Sequence, residues 1–470
     1  MTRVAAVDIG ATSGRVLVFE RNEDTLSVSE VHRFPNHPVQ AGGRWTWDVA
    51  ALWDHVVVGL RKAAESGDIA SWGVDTWAVD YGVVSADGAA LGPVYAYRDL
   101  QHSQGIPMSD ALVPWPEQYA VAGIQRLPFN TINQLLAETE PDRLHAGGVL
   151  MVPDLLMFLA TGERATELTN ASSTALVDAQ SHRFSHELMQ RLGLSHVRFD
   201  PLQHPGVVRG LTKVNGLPAW PVITVATHDT ASAFAAVPMQ DAAHAAILSL
   251  GTWALIGTEL DSPVLSDAAR DANFTNEIGV EDTVRFLKNI TGMWLFEECR
   301  REWSEAEGRD VSVPELLALA SEAEVSAARI DPDDSRWASP GFGADALAAS
   351  AIGGVVQTRG ELVRCIFASV AERVALHLRT LARLTNRDFE VLHVVGGGSL
   401  NAMMMQLLAD ASQLPVVAGP VEATALGNAG VQLITNGDFA DIAEFRTWLC
   451  RASSRALTLT SYKPTVCVTG

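Results

Sequence analysis

The chain opens with an apolar run from Val4 to Ile9, breaks at a Gly-Ala-Thr-Ser-Gly turn and resumes from Val16 to Phe19, a pattern that predicts two strands joined by a tight polar connection. Asp48 then precedes Leu52, Val56, Val57 and Leu60, apolar positions at helical spacing, and is the expected N-cap of a helix running towards Gly67. Trp72 to Val74 reads as a short strand ending at Asp75. Much later, Val363, Phe367, Val370, Val374, Leu378 and Leu381 recur at spacings of three and four and mark a long amphipathic helix. A strand from Val391 to Val395, a turn at Gly396-Gly397-Gly398 and a helix from Asn401 to Ala411 follow it. Helices alternating with strands predict an α/β architecture.

One local unit occurs twice. VDIGATSGRVLV near the start and LSLGTWALIG at Leu248 to Gly257 are both apolar strand, small-residue turn containing glycine and threonine, apolar strand. The repeat, about 240 residues on, points either to a duplicated domain with a boundary near Val237 to Ala243 or to chance recurrence in a large α/β chain. The length of 470 residues accommodates two large domains or about three of ordinary size. DPDDSRWASPGFGA, Asp331 to Ala344, is a loop by its Pro, Gly, Asp and Ser content.

Composition narrows the class of function. With 47% hydrophobic and 19% charged residues the chain has the balance of a globular enzyme. Its 34 basic and 55 acidic residues leave a net charge of −21, which disfavours a nonspecific grip on nucleic acid or an anionic membrane. Four cysteines, Cys299, Cys365, Cys450 and Cys467, show no CxxC pair or metal spacing and read as reduced thiols. The first residues lack a signal-peptide core, and no apolar run reaches the roughly 18 residues of a membrane span, so a cytoplasmic location is expected.

Several segments carry chemistry. In DIGATSGR the turn from Gly10 to Gly14 offers backbone N–H groups suited to phosphate oxygens, with hydroxyls at Thr12 and Ser13, and Asp8 at the strand end is placed to orient a hydrated Mg²⁺. A plain hairpin would use the same residues structurally. Gly251-Thr252-Trp253 is a candidate second phosphate turn, and Gly396, Gly397 and Gly398 let a base or ribose approach the backbone next to a helix N-terminus. The last turn lacks GxGxxG spacing, against a dinucleotide fold. THDTASA follows the apolar strand Val222 to Ala226, so Asp229 is either the acceptor for a proton from a hydroxyl or the cap of the next helix. DTWAVDYG, Asp75 to Gly82, joins carboxylates to Trp77 and Tyr81, a combination suited to a polyhydroxylated ligand; YRD at Tyr97 to Asp99 adds polar groups of the same kind.

Taken in order, DIGATSGR, GVDTWAVDYG, YRD, THDTASA, SLGTW, LKNITGMW, VVGGGSLN and VEATALGNA resemble the FGGY family of carbohydrate kinases over essentially the whole chain. Within that family DTWAVDY, THDTASA and LKNITGMW are most similar to the branch that phosphorylates the 1-hydroxyl of L-rhamnulose with MgATP. The resemblance implies two ribonuclease-H-like domains of the actin-like ATPase superfamily with an inter-domain cleft. It places a mainly sugar-binding domain at residues 1–240 and a mainly ATP-binding one at 241–470. It implies Asp229 as catalytic base; Asp75, Thr76, Trp77, Ala78, His228, Thr230 and Asn289 at the sugar; and Ala11, Thr12, Ser13, Gly14, Arg15, Gly251, Thr252, Gly396, Gly397 and Gly398 at ATP. Asp8 takes the Mg²⁺-associated position. The partners it implies are a small sugar and ATP, on a monomer or homodimer. Three departures bear on the substrate and nucleotide: Ala78 stands where the family has glycine, Ile278 interrupts an Asn-Glu-Gly-Gly pattern, and Glu297 replaces a glutamine associated with ATP. They leave open a kinase for another ketose or polyol, such as L-fuculose, L-ribulose or L-xylulose, and, from another class, a nucleotide-dependent sugar sensor without transfer activity.

Overall fold

The computed structural model describes residues 1–239, 241–337 and 341–465. The chain forms two compact units: residues 1–240 with 259–286 and 423–457, and residues 241–258 with 287–422 and 458–470. The first division falls within the predicted boundary region, and two later segments return to the first unit.

The first unit is built on a six-stranded sheet. Strands β1 (Thr2–Ile9), β2 (Ser13–Asn22) and β3 (Thr25–Pro35) form an antiparallel meander. Helix α1 (Val49–Glu65) follows, with Asp48 accepting the Ala51 N–H as the expected cap. Strand β4 (Ser71–Thr76) pairs parallel to β1. Strands β5 (Val207–Leu211) and β6 (Pro221–Thr224) complete the order β3-β2-β1-β4-β6-β5, with β5 antiparallel to β6. β1 and β4 are buried along nearly their whole length, β1 by an apolar run and β4 with polar residues at its ends that find partners inside, as central strands covered on both faces must be. After β6 the chain turns into helix α2 (Asp229–Ala235).

The second unit repeats this plan. β7 (Ala245–Leu250) pairs antiparallel with β8 (Trp253–Leu260), next to which runs β9 (Val284–Thr291). Helix α3 (Arg359–Thr385) carries the predicted three-four stripe on its buried side and begins in a capping box between Thr358 and Glu361. It leads to β10 (Val391–Val395), parallel to β7, then α4 (Ala402–Ser412) and β11 (Val416–Ala418), parallel to β10. The order β9-β8-β7-β10-β11, ended by the antiparallel edge strand β12 (Thr460–Tyr462), matches that of the six-stranded first sheet, and a seventh strand, Thr275–Ile278, is added outside β9. The Gly-Thr echo in the sequence is therefore the hairpin of a duplicated fold.

Helix α5 (Ala423–Thr435), from the VEATALGNA motif, belongs to the first unit and packs on β1, β4 and α2. Gly427 sets that approach, since a Cβ there would lie 1.8 Å from the Ser232 carbonyl oxygen. Gly427→Ala is expected to push α5 from α2 and cost about 2 kcal/mol, the scale of overpacking a filled core, read as a lowered midpoint in urea unfolding.

Candidate active site

Strand register assembles the first cluster. Asp8 on β1 lies opposite Arg15 on β2 and level with Asp75 on β4, so the hairpin and a strand much later in the chain bring the three together at one end of the central strands. Arg15 Nε and Nη2 donate to Asp8 Oδ2 at 3.0 and 2.9 Å. Asp75 Oδ2 accepts the Asn428 amide of α5 at 2.7 Å, and its Oδ1, fully buried, has no hydrogen-bond partner among the described residues. Gln432, one turn along, donates to Asn428 Oδ1 at 2.7 Å and to the Ala5 carbonyl at 3.0 Å, and accepts from Ser71 Oγ at 2.9 Å, which fixes α5 to the sheet through polar bonds.

The chain after β6 adds the second cluster. Thr76 N–H donates to the Thr227 carbonyl at 2.9 Å, which brings the THDTASA segment beside the end of β4. Asp229 is the first residue of α2 and does not cap it from the N-cap position, which belongs to His228. Its Oδ1 accepts from the Thr230 N–H at 2.6 Å and from Thr230 Oγ1 at 3.1 Å. Burial, reinforced by the neighbouring Asp8 charge, pushes the Asp229 carboxyl up to about 7 against the pull of those hydrogen bonds. Asp75 is raised well above the carboxylate range by burial and by the charges of Asp8 and Asp229. His228 faces Asp229 on one side and the buried pair Arg285–Glu277 on the other. Below it, Glu167 Oε2 accepts from Thr227 N and Oγ1 at 3.2 and 2.7 Å and holds the segment in place.

The third element is aromatic. Trp77 packs on Trp47 with ring centroids 4.1 Å apart, and Tyr97 lies against Trp47 and Phe129. Both indole N–H groups donate to Asp80 Oδ2, Trp47 at 2.6 Å and Trp77 at 2.9 Å. The Tyr97 N–H adds a third bond to that oxygen at 3.0 Å, and Gln134 donates to Oδ1 at 2.8 Å. Asp80 thus organises the aromatic wall instead of facing a ligand. Tyr81 is likewise turned inward, its hydroxyl 3.4 Å from Glu138, and Asp99 caps a turn and holds Arg44. The Tyr97 hydroxyl, buried, has no partner among the described residues. Ala78 is half-buried and precedes Val79, a β-branched residue at φ 68° whose carbonyl is pinned by Thr131 Oγ1 and Gln134 Nε2 at 2.7 and 3.2 Å. The loop beside Trp77 is therefore rigid by construction.

Among the expected nucleotide residues, the turn of Ala11, Thr12 and Ser13 is held by Asn36, which donates to the carbonyls of Gly10 and Thr12 at 2.7 and 3.0 Å. Gly14 has a packing reason, because a Cβ there would come within 2.2 Å of Phe34. In the second unit Leu250 brings two glycine turns together: Gly251 and Thr252 follow it directly, and a Cβ on Gly396 or Gly398 would meet its carbonyl or side chain at 3.1 or 2.5 Å. Gly397 and Gly251 have open space at that position, so packing does not explain their lack of a side chain. Met293 N–H donates to the Gly251 carbonyl at 2.9 Å, which seats LKNITGMW, with Asn289, on the same turn. The expected helix N-terminus after the triple glycine is closed by its own cap, Asn401, which accepts from Met404 N at 3.1 Å.

Two of the three departures find an address. The Ile278 side chain is buried with Leu168, Ala171 and Val177, away from the polar cluster, while its carbonyl accepts from Arg285. Glu297 pairs with Arg300 at 2.8 Å. Glu167, Arg285 and Asn428 were not singled out from sequence. Their signal was present as a charged residue inside the apolar run Val284 to Leu287, and as amides four apart on an otherwise apolar helix. Cys299, Cys365 and Cys450 are free thiols, whereas Cys467 and residues 338–340 of the Asp331 to Ala344 loop lie outside the described residues. Among the described residues no helix is long and apolar enough to cross a membrane.

Asp8, buried at the end of β1 and bound by Arg15, is the carboxylate whose chemistry fits a hydrated Mg²⁺ carried with phosphate, since such an ion takes oxygen ligands and keeps several waters. Among the described residues no group of three metal-ligating side chains could hold an ion by itself.

Duplicated sheets of matching order, with carboxylates at the strand ends and glycine turns free of side chains, are the parts a phosphotransferase would use, and the family match gives the class. The chain belongs to the FGGY family of carbohydrate kinases, residues 4–235 matching the family's N-terminal domain and residues 246–435 its C-terminal domain. It is an ATP-dependent sugar kinase with the two-domain α/β fold of that family. It is 43% identical to a rhamnulokinase of Bacteroides thetaiotaomicron, over 98% of this chain and 95% of that one, and 36% identical to a rhamnulokinase of Bacillus subtilis, over 94% and 92%. Among solved structures, a ligand-bound xylulose kinase from Lactobacillus acidophilus shares the fold with a TM-score of 0.80 at 15% identity, over 99% of this chain and 94% of that one. A Plasmodium falciparum glycerol kinase with ADP does so with a TM-score of 0.78 at 14% identity, over the same shares.

Proposed function

We propose that the chain transfers the γ-phosphoryl group of ATP to the 1-hydroxyl of L-rhamnulose, with Asp229 as the base. The observation that carries this is the place of the Asp229 carboxyl: half-buried on the first turn of α2, 3.5 Å from His228 Nε2, with its proton affinity raised to about 7 by desolvation and the Asp8 charge. Its proton affinity suits a group that takes a hydroxyl proton late in transfer. Asp75, Thr76, Trp77, Ala78, His228 and Thr230 surround the sugar on the first unit, with apolar faces from the Trp47–Trp77 wall for C–H groups. Asn289, in LKNITGMW, is assigned to the sugar as well. Ala11, Thr12, Ser13, Gly14 and Arg15, with Gly251, Thr252, Gly396, Gly397 and Gly398, bind ATP. Asp8 holds Mg²⁺ through water, and that ion, when bound, offsets phosphate charge. Identity to rhamnulokinases over nearly the full chain supports L-rhamnulose as the sugar, and burial of Ile278 away from the cluster removes one reason to expect another. We place the activity in the cytoplasm, where ATP is supplied.

The test is MgATP-dependent ADP release against L-rhamnulose, L-fuculose, L-ribulose, L-xylulose, D-xylulose and glycerol. L-Rhamnulose is expected to exceed each of the others by at least about tenfold in kcat/KM, the discrimination one well-placed polar contact provides. A higher value for another sugar moves the specificity to the Ala78 loop. ATP hydrolysis without any sugar phosphate overturns the transfer reading in favour of a sensor.

A further inference from the structure

The buried group behind His228 has no assigned role. Arg285, on β9, has no exposed surface, and its guanidinium touches three acceptors. Nη1 lies 3.1 Å from Glu277 Oε2, Nε and Nη2 lie 3.3 Å from the Ile278 carbonyl, and Nη2 lies 3.1 Å from His228 Nδ1. A guanidinium carries only donors. The imidazole nitrogen facing it must therefore present a lone pair, and the ring proton then sits on Nε2. That nitrogen points towards Asp229, 3.5 Å from Oδ1, too far for a good hydrogen bond and near enough for both atoms to meet neighbouring oxygens of one ligand.

We propose that Arg285 is a positioning residue that fixes His228 as its Nε2–H tautomer, so that a donor and an acceptor, His228 Nε2–H and the Asp229 carboxylate, whose Oδ1 is already bound by Thr230, stand side by side at the sugar. The pair matches a hydroxyketone: the hydroxyl gives its proton to Asp229 and the adjacent carbonyl oxygen, which only accepts, takes the His228 hydrogen bond. This assignment rests on the kinase reading above and narrows its substrate to sugars with a carbonyl next to the phosphorylated carbon.

Among the described residues the polar groups at the ring are Asp229, Arg285 and Glu277, whose Oε2 is 3.4 Å from Nδ1, while the His228 backbone N–H donates to Thr169 Oγ1 at 3.4 Å. Glu277 is the one competitor that would favour a proton on Nδ1, and it is farther than Arg285 and already paired with it. Burial, and then the Arg285 charge, hold His228 well below its ordinary range, in keeping with a neutral ring. Burial also lowers Arg285 from its ordinary value, opposed by Glu277.

The first experiment reads the tautomer in the unaltered protein. Protein labelled with ¹⁵N-histidine shows by its two-bond couplings which ring nitrogen carries the proton, the His228 signals being assigned by their loss in His228→Gln. The expected result is Nε2 protonated and Nδ1 bare; a proton on Nδ1 overturns the proposal whether or not the protein phosphorylates a sugar. The second uses Arg285→Met with Glu277→Gln, so that no carboxylate is left unpaired in the core. In that variant the Nε2 preference is expected to disappear, and kcat/KM for the ketose to fall at least about tenfold, the worth of one lost charge-assisted hydrogen bond. Inhibition by the alditol in which that carbonyl is a hydroxyl should change by less than about threefold, because a hydroxyl can also donate to a bare Nε2. Equal losses for ketose and alditol would reduce Arg285 to a structural residue and overturn the proposal. No turnover of any sugar by the unaltered protein would instead fail the kinase reading and leave the tautomer measurement standing.

Discussion

Asp229→Asn is expected to lower kcat by about 10² to 10⁴, the range for loss of a positioned general base, while the dissociation constant for the sugar changes by less than about threefold. That range corresponds to about 3 to 5 kcal/mol of transition-state stabilisation. The amide keeps an oxygen for the Thr230 N–H and Oγ1, so α2 should start as before. It cannot take a proton. Coupled ADP release measures the first quantity and calorimetric titration with sugar the second. Loss of sugar binding with turnover unchanged would remove Asp229 from this role.

The pH profile tests the same assignment without mutation. A carboxylate base works only when deprotonated, and burial together with the Asp8 charge has moved that event up from the ordinary carboxylate range to about 7. The profile of kcat/KM should accordingly climb about tenfold per pH unit below 7 and level off above it.

How much of this site was legible in the sequence depends on the reach of each interaction. The β1–β2 hairpin, the Asp48 cap and the buried stripe of α3 follow from neighbours a few residues apart, and all three stand where the polar and apolar pattern puts them. Asp8, Asp75 and Asp229 were singled out by motif, and it is register that brings Asp8 and Asp75 level with one another. Other parts of the site depend on pairs the pattern does not connect. Asn428 reaches Asp75 across 353 residues, and α5 approaches α2 because Gly427 lacks a side chain. Arg285 is a lone charge in the apolar run Val284 to Leu287, and its partner, His228, lies 57 residues earlier, a distance the pattern does not span. Asp80 misled for a related reason: a carboxylate between tryptophans suits a sugar as well as it suits the indole N–H groups, and only packing decides.

That decision makes Asp80 the second large effect. Asp80→Ala removes the acceptor of four donors at once: the indoles of Trp47 and Trp77, the Tyr97 N–H and the Gln134 amide. Leaving buried donors unpaired costs about 1 to 3 kcal/mol each before water enters, so a net loss on the order of 3 kcal/mol is expected in urea unfolding, with a sugar KM raised more than about tenfold as the Trp77 wall loosens. Asp80→Asn keeps an oxygen for the three donors on Oδ2, sets its amide against that of Gln134, and should cost on the order of 1 kcal/mol. The charge has its own signature. Burial raises the folded-state carboxyl to about 7, against an ordinary value of 3.8, and the four hydrogen bonds only partly oppose that shift. Between those values the folded protein holds a proton that the unfolded chain has lost. The contribution of Asp80 to stability is therefore largest below pH 3.8, declines as pH rises towards 7 and stays at its minimum above. Relative to Asp80→Asn, the unaltered protein should lose stability from pH 5 to pH 8. A difference between the two proteins that is flat over that interval would show that Asp80 is already ionised at pH 5 and that its donors, not its proton, carry the charge in the core.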